Sequence, residues 1–173
     1  MKASLFTVSI ASEHLVTKQT KKYETGMAGE FLVAGELCRR GVFCSVTYGN
    51  AKKADVVAFS QATGRYLPLE VKTTSEDRWV IGNSVPENSE RLWVFVFLPP
   101  DNSQSPEYFV LSSSELNAFL VPQHEEYRRG FFARHNVEFT GKGVESVRYD
   151  QAEQGRNEWQ KILEKLRPTH EKL

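Results

Sequence analysis

Residues 67–76 read LPLEVKTTSE, a stretch that places a carboxylate and an ammonium two positions apart. In an extended strand, residues i and i+2 point to the same side, so Glu70 and Lys72 are expected to share one face. Two interpretations fit this spacing. The pair is either a solvated ion pair worth under about 1 kcal/mol, or a metal-binding carboxylate beside a catalytic lysine.

Two further acidic residues precede this stretch. Asp55 opens the apolar run DVVAF, which predicts a short strand, and the turn QATG leads from it into the strand that carries Glu70. A hairpin of these two strands would bring Asp55 close to Glu70, because neighbouring strands lie about 5 Å apart. Glu30 is expected one turn inside the first helix. Clustered carboxylates repel one another unless a cation lies between them, so the pattern favours a cation site.

The residue types also indicate which chemistry such a site would perform. Oxygen ligands favour hard cations such as Mg²⁺, which binds through one or two carboxylates together with substrate phosphate. A lysine beside the cation can orient or deprotonate a water molecule. Metal and activated water together are the apparatus for phosphodiester hydrolysis.

The surrounding sequence predicts the elements that position these residues. MAGEFLVAGELCRR, from Met27, has apolar side chains near one helical stripe, and Gly41 is a natural helix end. VFCSVTY predicts a strand, followed by a loop in which Lys52 and Lys53 could contact a nucleic-acid backbone. Pro68 indicates that the Glu70 strand lies at a sheet edge there or begins after Arg65. RWVIG, RLWVFVFL and EYFVL predict further strands, and RLWVFVFL is expected to be central because it is the most apolar.

The second half predicts further helices. SSSELNAFL has a capping-box pattern, in which Ser112 is followed by Glu115. Residues 121–150 give mixed signals and predict loops and short strands. Residues 155–168 predict a last helix that Pro168 ends. A helix, then four to six strands, then helices indicates an α/β domain with a mixed central sheet.

Length and composition bound the function classes. With 173 residues the chain is expected to form one domain, 26–173, after an N-terminal lead-in, 1–25. Lys plus Arg equals Asp plus Glu at 22 each, so no general attraction to nucleic acid is expected, although a local basic cleft is compatible with this balance. No convincing signal peptide or membrane span is present, which predicts a cytoplasmic protein. Cys38 and Cys44 are expected to be buried, reduced thiols.

The order of these motifs resembles the PD-(D/E)XK, or restriction-endonuclease-like, nuclease superfamily, which includes restriction endonucleases and archaeal-type Holliday junction resolvases. The resemblance is carried by GE on the first helix, an Asp that opens a strand, and LEVK on the next strand. It covers roughly Gly26 to Leu111, with weaker similarity in the C-terminal helix. The resolvase-like and uncharacterised bacterial branches are the most similar. KAD stands where the name pattern has PD, and many members lack that proline.

This resemblance implies a restriction-endonuclease-like α/β fold and hydrolysis of DNA that depends on Mg²⁺ or Mn²⁺. Asp55 and Glu70 would be metal ligands, with the Val71 carbonyl as a candidate third ligand. Lys72 would be the catalytic lysine, and Glu30 would complete the metal shell directly or through water. DNA is the expected partner, no membrane is expected, and a homodimer is compatible with cleavage of two strands.

Two other interpretations stay open at this point. The chain could be a catalytically silent member of the fold that binds nucleic acid or a protein, which a failure to bind Mg²⁺ or Mn²⁺ would indicate. It could also be an ordinary structural or interaction domain in which the acidic pattern is chance, which spatial separation of Asp55 from Glu70 would indicate. Duplex, branched and single-stranded DNA, and RNA, all remain open as substrates.

Overall fold

The computed structural model describes residues 18–48, 54–82, 86–87, 89–141 and 143–168. The elements in chain order are α1 (Lys18–Arg39), β1 (Phe43–Val46), β2 (Val56–Phe59), β3 (Tyr66–Thr74), β4 (Arg78–Gly82), β5 (Leu92–Phe97), β6 (Glu107–Ser112), α2 (Ser113–His135), β7 (Glu145–Arg148), α3 (Tyr149–Ala152), a 3-10 turn (Glu153–Gly155) and α4 (Gln160–Leu166). Lys52, Lys53 and most of the predicted lead-in lie outside the described residues. None of the described helices is long and apolar enough to cross a bilayer.

Five strands form one mixed sheet in the order β1–β2–β3–β5–β6. The pairs β1–β2, β2–β3 and β5–β6 are antiparallel, and the pair β3–β5 is parallel. β4 and β7 form a separate two-stranded antiparallel sheet. The predicted α/β fold, a mixed central sheet flanked by helices, is confirmed. RLWVFVFL forms an inner strand as expected, although the middle strand is β3.

The two faces of the large sheet carry separate apolar clusters. On one face, α1 and α4 pack on the sheet, and the buried cluster includes Val33, Leu37, Leu69, Val94 and Ile162. On the other face, the cluster lies over β5 and β6 and includes Trp79, Phe95, Phe109, Leu116 and Val147. The second face at β1–β3 is open to solvent, since its cross-strand row of Phe43, Phe59 and Tyr66 is exposed.

Of the two expectations for Pro68, a strand that begins after Arg65 is confirmed, because β3 begins at Tyr66. The other, an edge position, is wrong, because β3 is the middle strand. Odd-numbered residues of β3 bond toward β2, as the Leu69 carbonyl does, and even-numbered residues bond toward β5, as the Thr74 carbonyl does. The N–H that Pro68 lacks would therefore point toward β5, not toward β2. Pairing with β5 begins one residue later, so the proline costs no ladder hydrogen bond.

Two helices extend beyond the predicted limits. α1 begins at Lys18, ahead of the periodic pattern that starts at Met27. α2 continues to His135, where loops and short strands were expected, so that part of the prediction is wrong. Glu and Arg, which favour helix between positions 125 and 134, outweigh the internal Pro122. The helix ends where Asn136 adopts a left-handed conformation, with φ of 54°.

The predicted capping box at the start of α2 is confirmed. The Ser112 Oγ accepts a hydrogen bond from the Glu115 N–H at 3.2 Å, and the Glu115 carboxylate accepts one from the Ser112 N–H at 2.7 Å. Lys161 Nζ on α4 donates to the other Glu115 oxygen at 2.6 Å. Partial burial raises the pKa of Glu115, but the bonds from Lys161 and Ser112 outweigh it, so the pKa lies below its ordinary value.

Glu115→Gln is expected to destabilise the protein near neutral pH, by under about 1 kcal/mol, and to have a smaller effect near pH 3. The folded-state pKa is depressed, so the stabilisation by the carboxylate is present above its ordinary pKa of 4.5 and is lost as pH falls through the folded value. Urea denaturation at both pH values measures the difference. Glu164→Gln, at an exposed position on α4, is the control. Equal destabilisation by Glu115→Gln at both pH values would contradict the assignment.

Candidate active site

Asp55 lies directly before β2, and its carboxylate is placed against β3. The Asp55 N–H donates to the Leu69 carbonyl at 2.9 Å, and the ladder pairs Leu69 with Val56, so both Asp55 and Val56 lie opposite Leu69. The Asp55 Oδ2 accepts a hydrogen bond from the Val71 N–H at 2.8 Å. Only 8% of Asp55 is exposed. The hairpin therefore brings Asp55 to the part of β3 that carries Glu70, as the spacing predicted.

Glu70 and Lys72 lie on the same face of β3, as alternation along the strand predicted. Leu69 and Val71 belong to the cluster on the α1 side, so the two charged side chains point to the other side. No ion pair joins Glu70 to Lys72 in the described part of the chain. Arg91, directly before β5, instead donates from Nη2 to the Glu70 Oε1. The simple interpretation of Glu70 and Lys72 as an ion pair is therefore wrong.

Lys72 extends over an aromatic ring rather than toward a carboxylate. Its Nζ lies 5.8 Å from the ring centroid of Trp93, within the range of a cation–π interaction. The Trp93 Nε1 donates to the Ser113 Oγ at 2.9 Å, which fixes the orientation of the ring. Within the described ranges no acidic side chain forms an ion pair with Lys72. The Trp93 ring thus lies beside the Lys72 ammonium in place of a carboxylate.

Glu30 lies on α1, the helix whose Gly29 packs against Thr73 of β3. It lies in the middle of α1, not one turn from its start as expected, because the helix begins at Lys18. Glu30 is 8% exposed and lies on the buried stripe with Val33 and Leu37. The neighbouring Gly29 permits the close approach of helix and strand, since a Cβ at Gly29 would lie 1.8 Å from the Thr73 Oγ1.

The donor atoms near Asp55 suit a hard divalent cation. A residue in a strand directs its N–H and C=O to the same side, so the Val71 carbonyl points to the side where the Asp55 carboxylate lies. Carboxylate and carbonyl oxygens are the ligands that Mg²⁺ and Mn²⁺ prefer. Among the described residues, no group of three or more His, Cys, Asp or Glu side chains is arranged to hold a metal ion. The place of Glu30 in a metal shell therefore stays a prediction.

Arg91 and Trp93 are site residues that the sequence reasoning missed. The sequence placed both residues only within the predicted apolar strand RLWVFVFL. The parallel register pairs Glu70 with Trp93 and Leu69 with Leu92, which places Arg91 beside Glu70. No local pattern marks this contact, because it depends on a parallel pairing between distant segments.

Comparison with known proteins finds similar structures but no sequence family. No protein-family model matches the chain, and no curated protein matches it. Hjc, a Holliday junction resolvase from the archaeal hyperthermophile Archaeoglobus fulgidus, is 16% identical with a TM-score of 0.43, over 75% of this chain and 93% of that chain. The bacterial homing endonuclease I-Ssp6803I is 14% identical with a TM-score of 0.44, over 86% of this chain and 93% of that chain.

Gly29→Ala is expected to destabilise the protein by about 1–3 kcal/mol, because the added Cβ would overlap the Thr73 side chain. Gly35→Ala is the matched control in the same helix. Nothing lies within 4 Å of a Cβ at Gly35, so this variant is expected to gain up to about 1 kcal/mol from helix propensity. Denaturant unfolding measures both changes.

The double variant Gly29→Ala with Thr73→Ala tests the cause of that destabilisation. Removal of the Thr73 Oγ1, the nearest atom, is expected to restore part of the lost stability. Equal stability of Gly29→Ala and Gly35→Ala would contradict the close contact between Gly29 of α1 and Thr73 of β3.

Proposed function

We propose that this protein is a nuclease that hydrolyses phosphodiester bonds of DNA and depends on Mg²⁺ or Mn²⁺. The observation that carries the proposal is the hydrogen bond from the Val71 N–H to the Asp55 carboxylate. It holds an acidic side chain against the segment of β3 from which Glu70 and Lys72 extend. A divalent cation at this point would polarise the phosphate and promote ionisation of a water molecule.

Each residue has a distinct role in this proposal. Asp55 and Glu70 would hold the cation with their carboxylates, and the Val71 carbonyl would be the third protein ligand. Lys72 orients the attacking water and stabilises negative charge on the phosphate. Glu30 supports the metal shell from the α1 side. The Trp93 ring favours a fixed position of the Lys72 ammonium, as the 5.8 Å separation indicates.

The surface around the site suits a large polyanionic substrate. The face of β1–β3 that carries Glu70 and Lys72 is open, and Phe43, Phe59 and Tyr66 lie exposed on it, with 56%, 38% and 74% of their surfaces accessible. Aromatic rings on an open face can contact bases or sugars, while basic side chains contact phosphates. The neutral overall charge is compatible with this assignment because the cation and Lys72 supply positive charge locally.

A catalytically silent module that binds nucleic acid or a protein is the second candidate. The pairing of Glu70 with Arg91 favours it, because the guanidinium occupies a carboxylate that the nuclease mechanism needs. The two candidates differ in one measurable property. A nuclease of this kind binds Mg²⁺ or Mn²⁺ through Asp55 and Glu70, and the silent module does not.

Cleavage should be lost when either the metal ligand or the lysine is replaced. Asp55→Asn keeps the side-chain shape and removes the charge, and Lys72→Ala removes the ammonium. Each variant is expected to lower the cleavage rate by at least about 100-fold. The assay is a panel of duplex, branched and single-stranded DNA and RNA, with Mg²⁺ or Mn²⁺, and with EDTA as the metal-free control. Cleavage that survives both substitutions would show that the residue assignment is wrong.

Arg91→Ala is expected to bind Mn²⁺ about tenfold more tightly than the unchanged protein, since Arg91 and the cation compete for Glu70. Isothermal titration measures the affinity. Arg78→Ala is the matched control, because Arg78 is an exposed arginine that pairs with Asp77 on the surface. Addition of Glu70→Gln to Arg91→Ala is expected to abolish the gain. Absence of Mn²⁺ binding by all four proteins would select the silent module.

A further inference from the structure

The two cysteines of the chain lie next to each other in space. Cys38 is in the last turn of α1 and Cys44 is the second residue of β1, and their Sγ atoms are 3.5 Å apart. The expectation of two buried thiols is wrong for Cys38, which is exposed, whereas Cys44 is partly buried. Because the chain has only these two cysteines, an intramolecular disulfide has one pairing available.

The local backbone fixes this proximity. The Gly41 N–H donates to the Cys38 carbonyl at 3.0 Å, and the Val42 N–H donates to the Leu37 carbonyl at 3.0 Å. Gly41 has a φ of 76°, in the left-handed region that favours glycine. These are the two hydrogen bonds of a Schellman motif, which ends α1 and turns the chain directly into β1. Leu37 and Val42 are both buried in the core, which stabilises the turn.

We infer that Cys38 and Cys44 form a redox-modification site, at which an oxidant of the peroxide class converts the two thiols to a reversible disulfide. The sulfur atoms need to close from 3.5 Å to about 2.05 Å, a change that side-chain rotation and small backbone shifts can supply. The disulfide would tie the end of α1 to the edge strand β1. This inference does not depend on the proposed nuclease activity.

The two cysteines differ in exposure, which sets the order of the reaction. Cys38 is accessible to an oxidant in solution. The Cys44 Sγ lies 3.2 Å from the Ala34 carbonyl, to which it donates a hydrogen bond. Burial, together with the contact with Cys38, raises the pKa of Cys44 to about 12, so Cys44 stays a thiol. Cys38 is therefore the residue that the oxidant meets first, and Cys44 is the resolving thiol.

The chemical balance is complete with hydrogen peroxide as the oxidant. The Cys38 sulfur attacks one peroxide oxygen, the O–O bond breaks, and one water leaves as Cys38 becomes a sulfenic acid. The Cys44 sulfur then attacks the sulfenic sulfur, the S–O bond breaks, and a second water leaves with the thiol proton. Two thiols and one peroxide thus give one disulfide and two waters. A dithiol reductant reverses the step by thiol–disulfide exchange.

Intact-mass spectrometry of the full chain after treatment with hydrogen peroxide, followed by alkylation, tests the inference. The unchanged protein is expected to lose about 2 Da, to take up no alkylating agent, and to recover both reactive thiols after dithiothreitol. Peptide mapping should find a cross-linked peptide that contains Cys38 and Cys44. Sulfinic or sulfonic acid on Cys38 with Cys44 still alkylated, or a disulfide-linked dimer of chains, would overturn the inference.

Single substitutions separate the roles of the two residues. Cys44→Ser is expected to show no loss of 2 Da and to accumulate over-oxidised Cys38, because the resolving thiol is absent. Cys38→Ser is expected to keep Cys44 reduced at the same peroxide dose. Equal oxidation rates of the remaining cysteine in the two variants would contradict the assigned order. The result for the unchanged protein decides whether the disulfide forms, so the test does not require that either variant folds.

Discussion

The hydrogen bond between the Val71 N–H and the Asp55 carboxylate is the interaction on which the candidate site depends. β3 has nine residues and its neighbour β2 has four, so β3 extends past the start of β2. The Val71 N–H lies in this extension, and a buried N–H without an acceptor is costly. The Asp55 carboxylate accepts the hydrogen bond from the Val71 N–H, in the place of a backbone carbonyl of a longer β2. The Val71 N–H therefore needs an acceptor, and the Asp55 carboxylate that supplies it is fixed beside Val71.

Alternation along β3 then divides the remaining site residues between two sides. Odd-numbered residues face α1, the helix that carries Glu30 and whose Gly29 packs against Thr73. Even-numbered residues carry Glu70 and Lys72 on the open side. The parallel partner β5 begins next to Glu70, and the crossover that a parallel pair requires ends at Arg91. The parallel pairing thus places the Arg91 guanidinium beside the Glu70 carboxylate, in addition to the Lys72 ammonium on the same face.

The sequence was sufficient where the determining contacts are local. The β2–β3 hairpin, the shared face of Glu70 and Lys72, and the capping box of α2 follow from alternation and from spacings of a few residues. The contact of Arg91 with Glu70 and the length of α2 were not predictable in this way. The first depends on a parallel register between distant segments, and the second on the summed propensity of a stretch that contains Pro122.

The Glu70–Arg91 ion pair is relevant to both candidate functions, the nuclease and the silent module. A strong pair would oppose cation binding at Glu70, and a weak pair would permit it. The Arg91 side chain is 42% exposed and the Glu70 side chain 18%, so solvent screens the pair. Ion pairs with this degree of exposure contribute at most about 1 kcal/mol. Under the proposed function, a divalent cation held by Asp55 and Glu70 would have to displace the guanidinium, which an ion pair of this strength permits. The released Arg91 would then be available to a phosphate oxygen. The pair is therefore compatible with a site that assembles when cation and substrate bind, and it is weak support for a silent module.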